Sequence, residues 1–278
     1  MAVTDVFLAA LIDHLRRRGL DVLSLDDGLA RLAAGDVRPF VCLTFDDGYR
    51  DNYEVAFPVL RRLGAPAAIF LATGLVDRTS PMWWHPLERA FGGGSRSGTK
   101  EGAARQRAHD GWATRFRAAD RDGVVRLLEE VSACEPGFRA EEAYDSALDW
   151  TMIREMAASG LVTFGAHTVS HPMLATLSGA DLAREVRSSR DRCAAMLGAP
   201  PDYFAYPFGQ PHEIGAEAPG HVAAAGFSAA FTTTAATLRD RNTGDRFRLP
   251  RIMLTRRSQN LASIDAYVSG LTEAIKGV

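Results

Sequence analysis

Residues 40–48 read FVCLTFDDG, an apolar run that ends on two adjacent carboxylates and a glycine. The run predicts a buried strand over Phe40–Phe45. In parallel α/β barrels, chemistry collects where strands end and the following loops begin. Asp46 and Asp47 occupy such an end. A second site of the same kind lies far downstream. There Leu161–Ala166 predicts another strand, and His167 and His171 follow it directly.

The rest of the chain alternates in the same way. Val6, Phe7, Ala10, Leu11 and Leu15 fall at helical spacing, with Gly19 as a stop. Further strands are predicted at Val22–Leu25, Ala67–Ala72, Tyr203–Tyr206, Ala229–Thr232 and Leu249–Leu254. Helices are predicted at 29–34, 52–63 (stopped by Gly64), 150–159, 180–197, 221–225 and 261–275. Strands separated by helices favour a parallel sheet with crossovers. Residues 76–149 break the pattern: they are rich in Ala, Arg and Glu, carry Gly92-Gly93-Gly94, and offer no convincing strand. They read as a helical insertion between barrel units. With no repeat or low-complexity linker, the simplest organisation is one domain, 1–278, with an insertion at about 76–149.

The chain has 278 residues, of which 46% are hydrophobic, enough for one large core. A net charge of -2 supplies no basic field for a nucleic-acid backbone. Cys42, Cys134 and Cys193 are odd in number and far apart, so neither a disulfide framework nor a zinc knuckle follows. No stretch approaches the ~18–20 apolar residues of a membrane span. The N-terminus lacks a basic segment leading into a cleavable apolar core. The expected location is therefore cytoplasmic as the chain stands, or exported if a leader has been trimmed away.

Asp47, His167 and His171 together make a two-histidine, one-carboxylate set, which leaves positions on a divalent ion open to water and substrate. His-x-x-x-His presents both rings to one ion if the segment turns helically. Asp46 is a second carboxylate, and in an extended strand end it faces away from Asp47. This is the inventory of a metal-assisted hydrolase. Taken singly, a strand-end Asp-Asp-Gly is common turn chemistry and a spaced His pair is often plain surface. It is their joint occurrence at strand ends that is specific.

Three stretches, TFDDGYRDN (Thr44–Asn52), HTVSH (His167–His171) and YPFG (Tyr206–Gly209), resemble the first three motifs of the polysaccharide deacetylase family. The resemblance runs from about Phe40 to Leu254, interrupted by the insertion. It implies an α/β fold, a distorted (β/α)7 barrel. It also implies a metal-dependent hydrolase that removes N-acetyl groups from an amino-sugar oligomer or polymer. Asp46 resembles the general base, and Asp47, His167 and His171 resemble the metal ligands. The backbone N–H of Phe208 resembles the oxyanion donor. Zinc suits the ligand set first, with cobalt, nickel or manganese also able to occupy it.

The chain departs from the family pattern twice. The arginine that commonly steadies the base is replaced by Ala205. Arg251 can supply that charge from another strand, or it is a surface arginine beside Pro250. The late leucine-histidine motif that usually brings the general acid is also not recognisable. His85 and His212 are loop candidates for that proton, and His14 lies in an apparent helix. Trp83 and Trp84 either stack on sugar at the cleft rim or anchor the insertion, with Trp84 assigned to substrate. Tyr49 and Tyr206 are assigned to substrate as well, with Phe204 and Tyr206 alternating between core and cleft. Two rival readings stand beside the deacetylase: an amidohydrolase acting on a small non-sugar amide, and a non-catalytic carbohydrate-binding relative.

Overall fold

A computed structural model describes residues 3–92, 99–238, 244–255 and 259–269. In chain order the elements are α1 (Asp5–Arg17), β1 (Asp21–Leu23), α2 (Leu25–Ala33), β2 (Phe40–Phe45), α3 (Phe57–Leu63), β3 (Ala67–Leu71), α4 (Thr73–Val76), α5 (Trp84–Gly92), α6 (Lys100–Ala118), α7 (Arg121–Cys134), α8 (Glu142–Asp145), α9 (Trp150–Ala158), β4 (Val162–Ala166), α10 (Gly179–Leu197), β5 (Tyr203–Ala205), α11 (Pro211–Ile214), α12 (Ala218–Ala224), β6 (Ala229–Phe231) and α13 (Leu261–Val268). All six strands are parallel and pair in the order β1-β2-β3-β4-β5-β6, forming a curled half-barrel. The parallel α/β sheet expected from the alternation and the barrel-like curl implied by the resemblance are both observed.

Register sets up the site. Phe45 pairs with Ile69, Leu71 with Ala166, and Ala166 with Phe204, so the strands end side by side. The residues that follow these ends (Asp46, Asp47 and His167) emerge at one rim. Gly165 makes this packing possible. A Cβ there would meet the Phe70 ring at 2.5 Å and the Tyr203 carbonyl at 2.8 Å. Every residue of β3 is buried, as a central parallel strand requires.

Helix ends follow the local chemistry. Ser178 caps α10 by accepting from the Asp181 N–H, and Asp149 caps α9 by accepting from Thr151 and Met152. Where a continuous helix over 52–63 is expected, Asn52–Ala56 instead forms a π-helical turn leading into α3. Pro58 explains the change of register, because it has no N–H to offer the turn before it.

The expected seventh strand, Leu249–Leu254, is reduced to a single parallel bridge between Leu249 and Phe231. Pro250 follows that bridge and cannot donate to a ladder. Among the described residues the distorted seven-stranded barrel is thus six strands plus one bridging residue. The expected extension of α13 to Ile275 lies outside the described residues. Among the described residues no helix is long and apolar enough to cross a membrane.

Between β3 and β4 the described residues are helical or in turns, apart from one antiparallel bridge from Ala147 to Tyr49. They hold their own apolar cluster, including Trp83, Leu87, Phe91, Phe116, Leu128 and Val131. Trp83 lies flat on Phe116, with ring centres 4.8 Å apart. A polar bracket closes the other side of this region. Asp77 accepts from the Arg192 Nε at 2.8 Å, the Arg192 Nη2 at 2.7 Å and the Trp150 indole N–H at 2.7 Å. Burial pushes the Asp77 carboxyl up, but the bonds from Arg192 and Trp150 outweigh it and the net shift is downward. A carboxyl whose folded pKa is depressed adds stability above its unfolded value, near pH 4, and loses it as pH falls further. Asp77→Asn is therefore expected to cost about 1–2 kcal/mol at pH 7. The deficit should shrink below about pH 4, as read from urea midpoints measured across pH.

Candidate active site

Asp47 sits in the left-handed region, with φ 71°, and Gly48 follows at φ 78°. Aspartate tolerates this conformation better than most residues. The expectation that an extended pleat separates Asp46 from Asp47 is therefore corrected: a left-handed turn after β2 accompanies their divergence. Asp47 faces the histidines, and Asp46 faces Arg251.

The histidine segment corrects a second expectation. It is not helical; residues 167–171 form a loop after β4. Thr168 has φ 68° and His171 has φ 57°. These two left-handed residues fold the loop back on itself, so the ring centres lie 4.9 Å apart. Each ring turns its Nε2 toward the same oxygen: Asp47 Oδ1 is 3.3 Å from His167 and 3.2 Å from His171. His167 Nδ1 donates to the Ala205 carbonyl at 2.6 Å, which leaves Nε2 free to face Asp47. Where the family pattern has an arginine, the backbone of Ala205 thus orients His167.

This set fits a divalent ion. One ligand atom from each of the three residues lies within 4.8 Å of the others. Asp47 Oδ1 is buried without a hydrogen-bond partner of acceptable geometry, and so is His171 Nδ1. The two Asp–His spacings match the ~3.3 Å edge of a tetrahedron built on bonds of about 2.0–2.1 Å. Burial works against charge on Asp47, yet the two histidines that face it hold its carboxyl well below the usual range.

Asp46 lies beside this set in a different environment. Arg251 grips it with both arms of its guanidinium, at 2.7 Å to Oδ1 and 2.8 Å to Oδ2. Arg251 is itself held by Thr44 Oγ1 at 3.1 Å and the Thr232 carbonyl at 3.1 Å, and it stacks over the Phe70 ring. Of the two readings of Arg251, the structure shows the one that pairs it with Asp46. Burial raises the Asp46 carboxyl, but the charge of Arg251 and its hydrogen bonds bring it below its ordinary value.

The aromatic residues divide. The Trp84 ring lies 4.8 Å from His171, and its indole N–H donates to the Tyr49 hydroxyl. Both are therefore beside the ligand set, whereas Trp83 belongs to the helical cluster. Burial and the Asp47 charge lift the Tyr49 phenol well above its normal value, so it stays neutral. Phe208, at φ 61°, packs edge-on against His171 at 4.8 Å, and its amide N–H meets no acceptor among the described residues. Tyr206 is a correction: it is fully buried, and its hydroxyl donates to the Phe247 carbonyl at 2.8 Å. Phe204 packs against it in the same core cluster. Residues two apart on a strand share a face, so the expected alternation between core and cleft does not hold for this pair.

Neither loop histidine joins the set. His85 is bonded to Ser146 at 2.9 Å, and His212 is exposed on α11. Neither makes a hydrogen bond or ring contact with Asp46, Asp47, His167 or His171. His14 pairs with Asp265 at 2.9 Å, joining α1 to α13. Sequence reasoning missed Glu185 on α10, which accepts from the middle of the histidine loop. It also missed Arg117 on α6, whose guanidinium lies 5.3 Å over the Phe208 ring.

Comparison with known proteins agrees with the fold. YxkH of Bacillus subtilis (strain 168), whose name assigns it to the polysaccharide deacetylases, is 58% identical over 31 residues. That match covers 11% of each chain, so this chain spans only a small part of that relative's length. Deacetylase PplD from Streptococcus pyogenes, solved with acetate, superposes with a TM-score of 0.64 at 18% identity over 96% of this chain and 87% of that one. IcaB from Ammonifex degensii gives 0.63 at 23% identity over 96% and 89%. A de-N-acetylase from Aggregatibacter actinomycetemcomitans gives 0.63 at 17% identity over 95% and 89%. At these identities the likeness is one of fold. Residues 35–228 match the family model described as polysaccharide deacetylase, and on that match, which covers more than half of its length, the chain belongs to the polysaccharide deacetylase family.

Proposed function

We propose that this protein is a metal-dependent hydrolase that removes N-acetyl groups from an N-acetylated amino-sugar oligomer or polymer. The observation that carries the proposal is the pairing of two unlike carboxylates on one strand end. Asp47 faces two histidines, and Asp46 is held apart from it by Arg251. Residues 1–278 act as one catalytic unit, with 76–149 inserted between barrel units.

Asp47, His167 and His171 would hold the ion, with zinc the first choice for this donor set. When bound, such an ion polarises the acetamide carbonyl and makes water a better nucleophile. Asp46 takes a proton from the attacking water, and Arg251 keeps both its oxygens aligned for that task. The Phe208 N–H donates to the carbonyl oxygen as negative charge builds on it. Trp84 walls the site beside His171 and offers a flat surface to a sugar ring, with Tyr49 fixing its angle. Among the described residues no third histidine contacts the set, and Asp46 also returns the proton to the departing amine. Arg251 makes the protonated carboxyl unusually acidic, which suits that return. Water and amide become acetate and free amine.

The test is acetate release from N-acetylglucosamine oligomers, compared with a panel of small acetamides, by chelator-treated protein before and after readdition of zinc. Release from the oligomers that depends on the added ion is the expected result. Release confined to the small amides would reassign the substrate, and no ion-dependent release from any of them would remove the activity.

A further inference from the structure

Glu185 lies one helix away from the proposed ligands, yet among the described residues it makes more hydrogen bonds to their loop than any other side chain. Its Oε2 accepts from the backbone N–H of Val169 at 2.8 Å and of Ser170 at 2.9 Å. Its Oε1 accepts from the Ser170 hydroxyl at 2.7 Å. Val169 and Ser170 are the interior of His-Thr-Val-Ser-His, so one carboxylate binds the middle of the segment whose ends carry the two imidazoles.

The loop needs such a partner. A β-branched residue in the left-handed region, as Thr168 is, occupies a sparsely populated conformation, and His171 shares that region. Nothing in the loop's own secondary structure holds them there. Most of its N–H groups and several of its carbonyls instead have outside or local partners. The Thr168 and Val169 carbonyls accept from the N–H groups of Thr73 and Gly74 at 3.1 and 2.8 Å. The His171 N–H donates to Thr168 Oγ1 at 3.0 Å. The His167 N–H donates to the Leu71 carbonyl at 2.9 Å, and those of Val169 and Ser170 go to Glu185. Glu185 is itself firmly placed, because its neighbours on α10, Leu182 and Val186, are buried in the core. The opposite side of the loop is equally fixed, since a Cβ on Gly74 would strike the Val169 carbonyl at 2.7 Å.

We infer that Glu185 is a positioning residue for the metal centre: its carboxylate holds the His167–His171 loop in the strained shape that brings both Nε2 atoms to Asp47, and so sets the affinity for the divalent ion. The inference rests on the ligand set proposed above. It differs from a role in folding alone because it places the effect on ion affinity.

Glu185→Ala removes all three bonds. In Glu185→Gln, the amide oxygen still accepts both backbone N–H groups and the amide nitrogen can donate to Ser170 Oγ. Zinc affinity is measured by competition with a chromophoric chelator, and the visible spectrum of the cobalt-loaded protein reports ligand geometry. The urea midpoint of the metal-free protein reports folding. Expected is a loss of about 10–100-fold in affinity for Glu185→Ala with an altered cobalt spectrum. Glu185→Gln stays close to the parent, and the exposed neighbour Arg184→Ala is unchanged. A folded Glu185→Ala that binds zinc as tightly as the parent, with the same cobalt spectrum, overturns the inference. Should Glu185→Ala fail to fold, Ser170→Ala decides: weakened zinc binding at an unchanged midpoint supports the inference, and undiminished binding overturns it. A parent protein that takes up no ion overturns the ligand set itself, and this inference with it.

Discussion

Replacing His167 with alanine is expected to abolish both zinc uptake and acetate release, with kcat/KM falling by about 10⁴-fold or more. The ion is asked to supply several kcal/mol of transition-state stabilisation, and each ~1.4 kcal/mol is a factor of ten. His167 is almost wholly enclosed and bonded to Ala205 through Nδ1, so no other side chain can swing into its place. The loss also leaves the Ala205 carbonyl without that donor and the Asp47 carboxylate short of one neighbour. A stability cost of about 1–3 kcal/mol should accompany it. Elemental analysis of the purified variant, set beside its acetate release, checks the result. A variant that keeps one equivalent of zinc removes His167 from the ligand set.

Asp46→Asn is expected to separate the two functions that His167→Ala loses together. The amide is nearly isosteric and still offers an oxygen to Arg251, so the rim should keep its shape and the ion should stay. What disappears is a group able to take a proton, and kcat should fall by about 10²–10⁴-fold. Arg251 also bonds to Thr44 and Thr232, which limits its displacement when the carboxylate is neutralised. Undiminished turnover with full zinc occupancy means that Asp46 is not the base. A binding protein that had merely kept the barrel would show no such dependence, because it needs no second carboxylate.

What the chain discloses on reading follows from how far each signal reaches. β2, β3 and β4 are visible because each is an apolar run with a clear end, and the donor residues sit directly after two of those ends. The histidine pair was found for an incomplete reason. Its spacing fits a helix, but the loop reaches the same result through two left-handed residues, which no local pattern of side chains announces. The Arg251–Asp46 pair joins residues 205 positions apart, so the replacement of the motif arginine could be posed as an alternative but not decided. Glu185 is one acid among the charges of an amphipathic helix, and nothing in its sequence neighbourhood separates it from solvated neighbours. Tyr206 shows the opposite error. An aromatic residue beside a motif looked like a platform for sugar, while its hydroxyl had a backbone acceptor at Phe247.

The contact between Trp84 and His171 has a practical consequence. Residues 76–149 look like the obvious part to delete when seeking a minimal scaffold for engineering or crystallisation. Yet this segment contributes an aromatic ring packed against one proposed ligand and, through Arg117, a cation over the ring of Phe208. A pruned barrel would expose His171 to bulk solvent on that side and free Tyr49 from its indole donor. The bulkiest appendage of this protein is therefore also part of the wall around the proposed metal site.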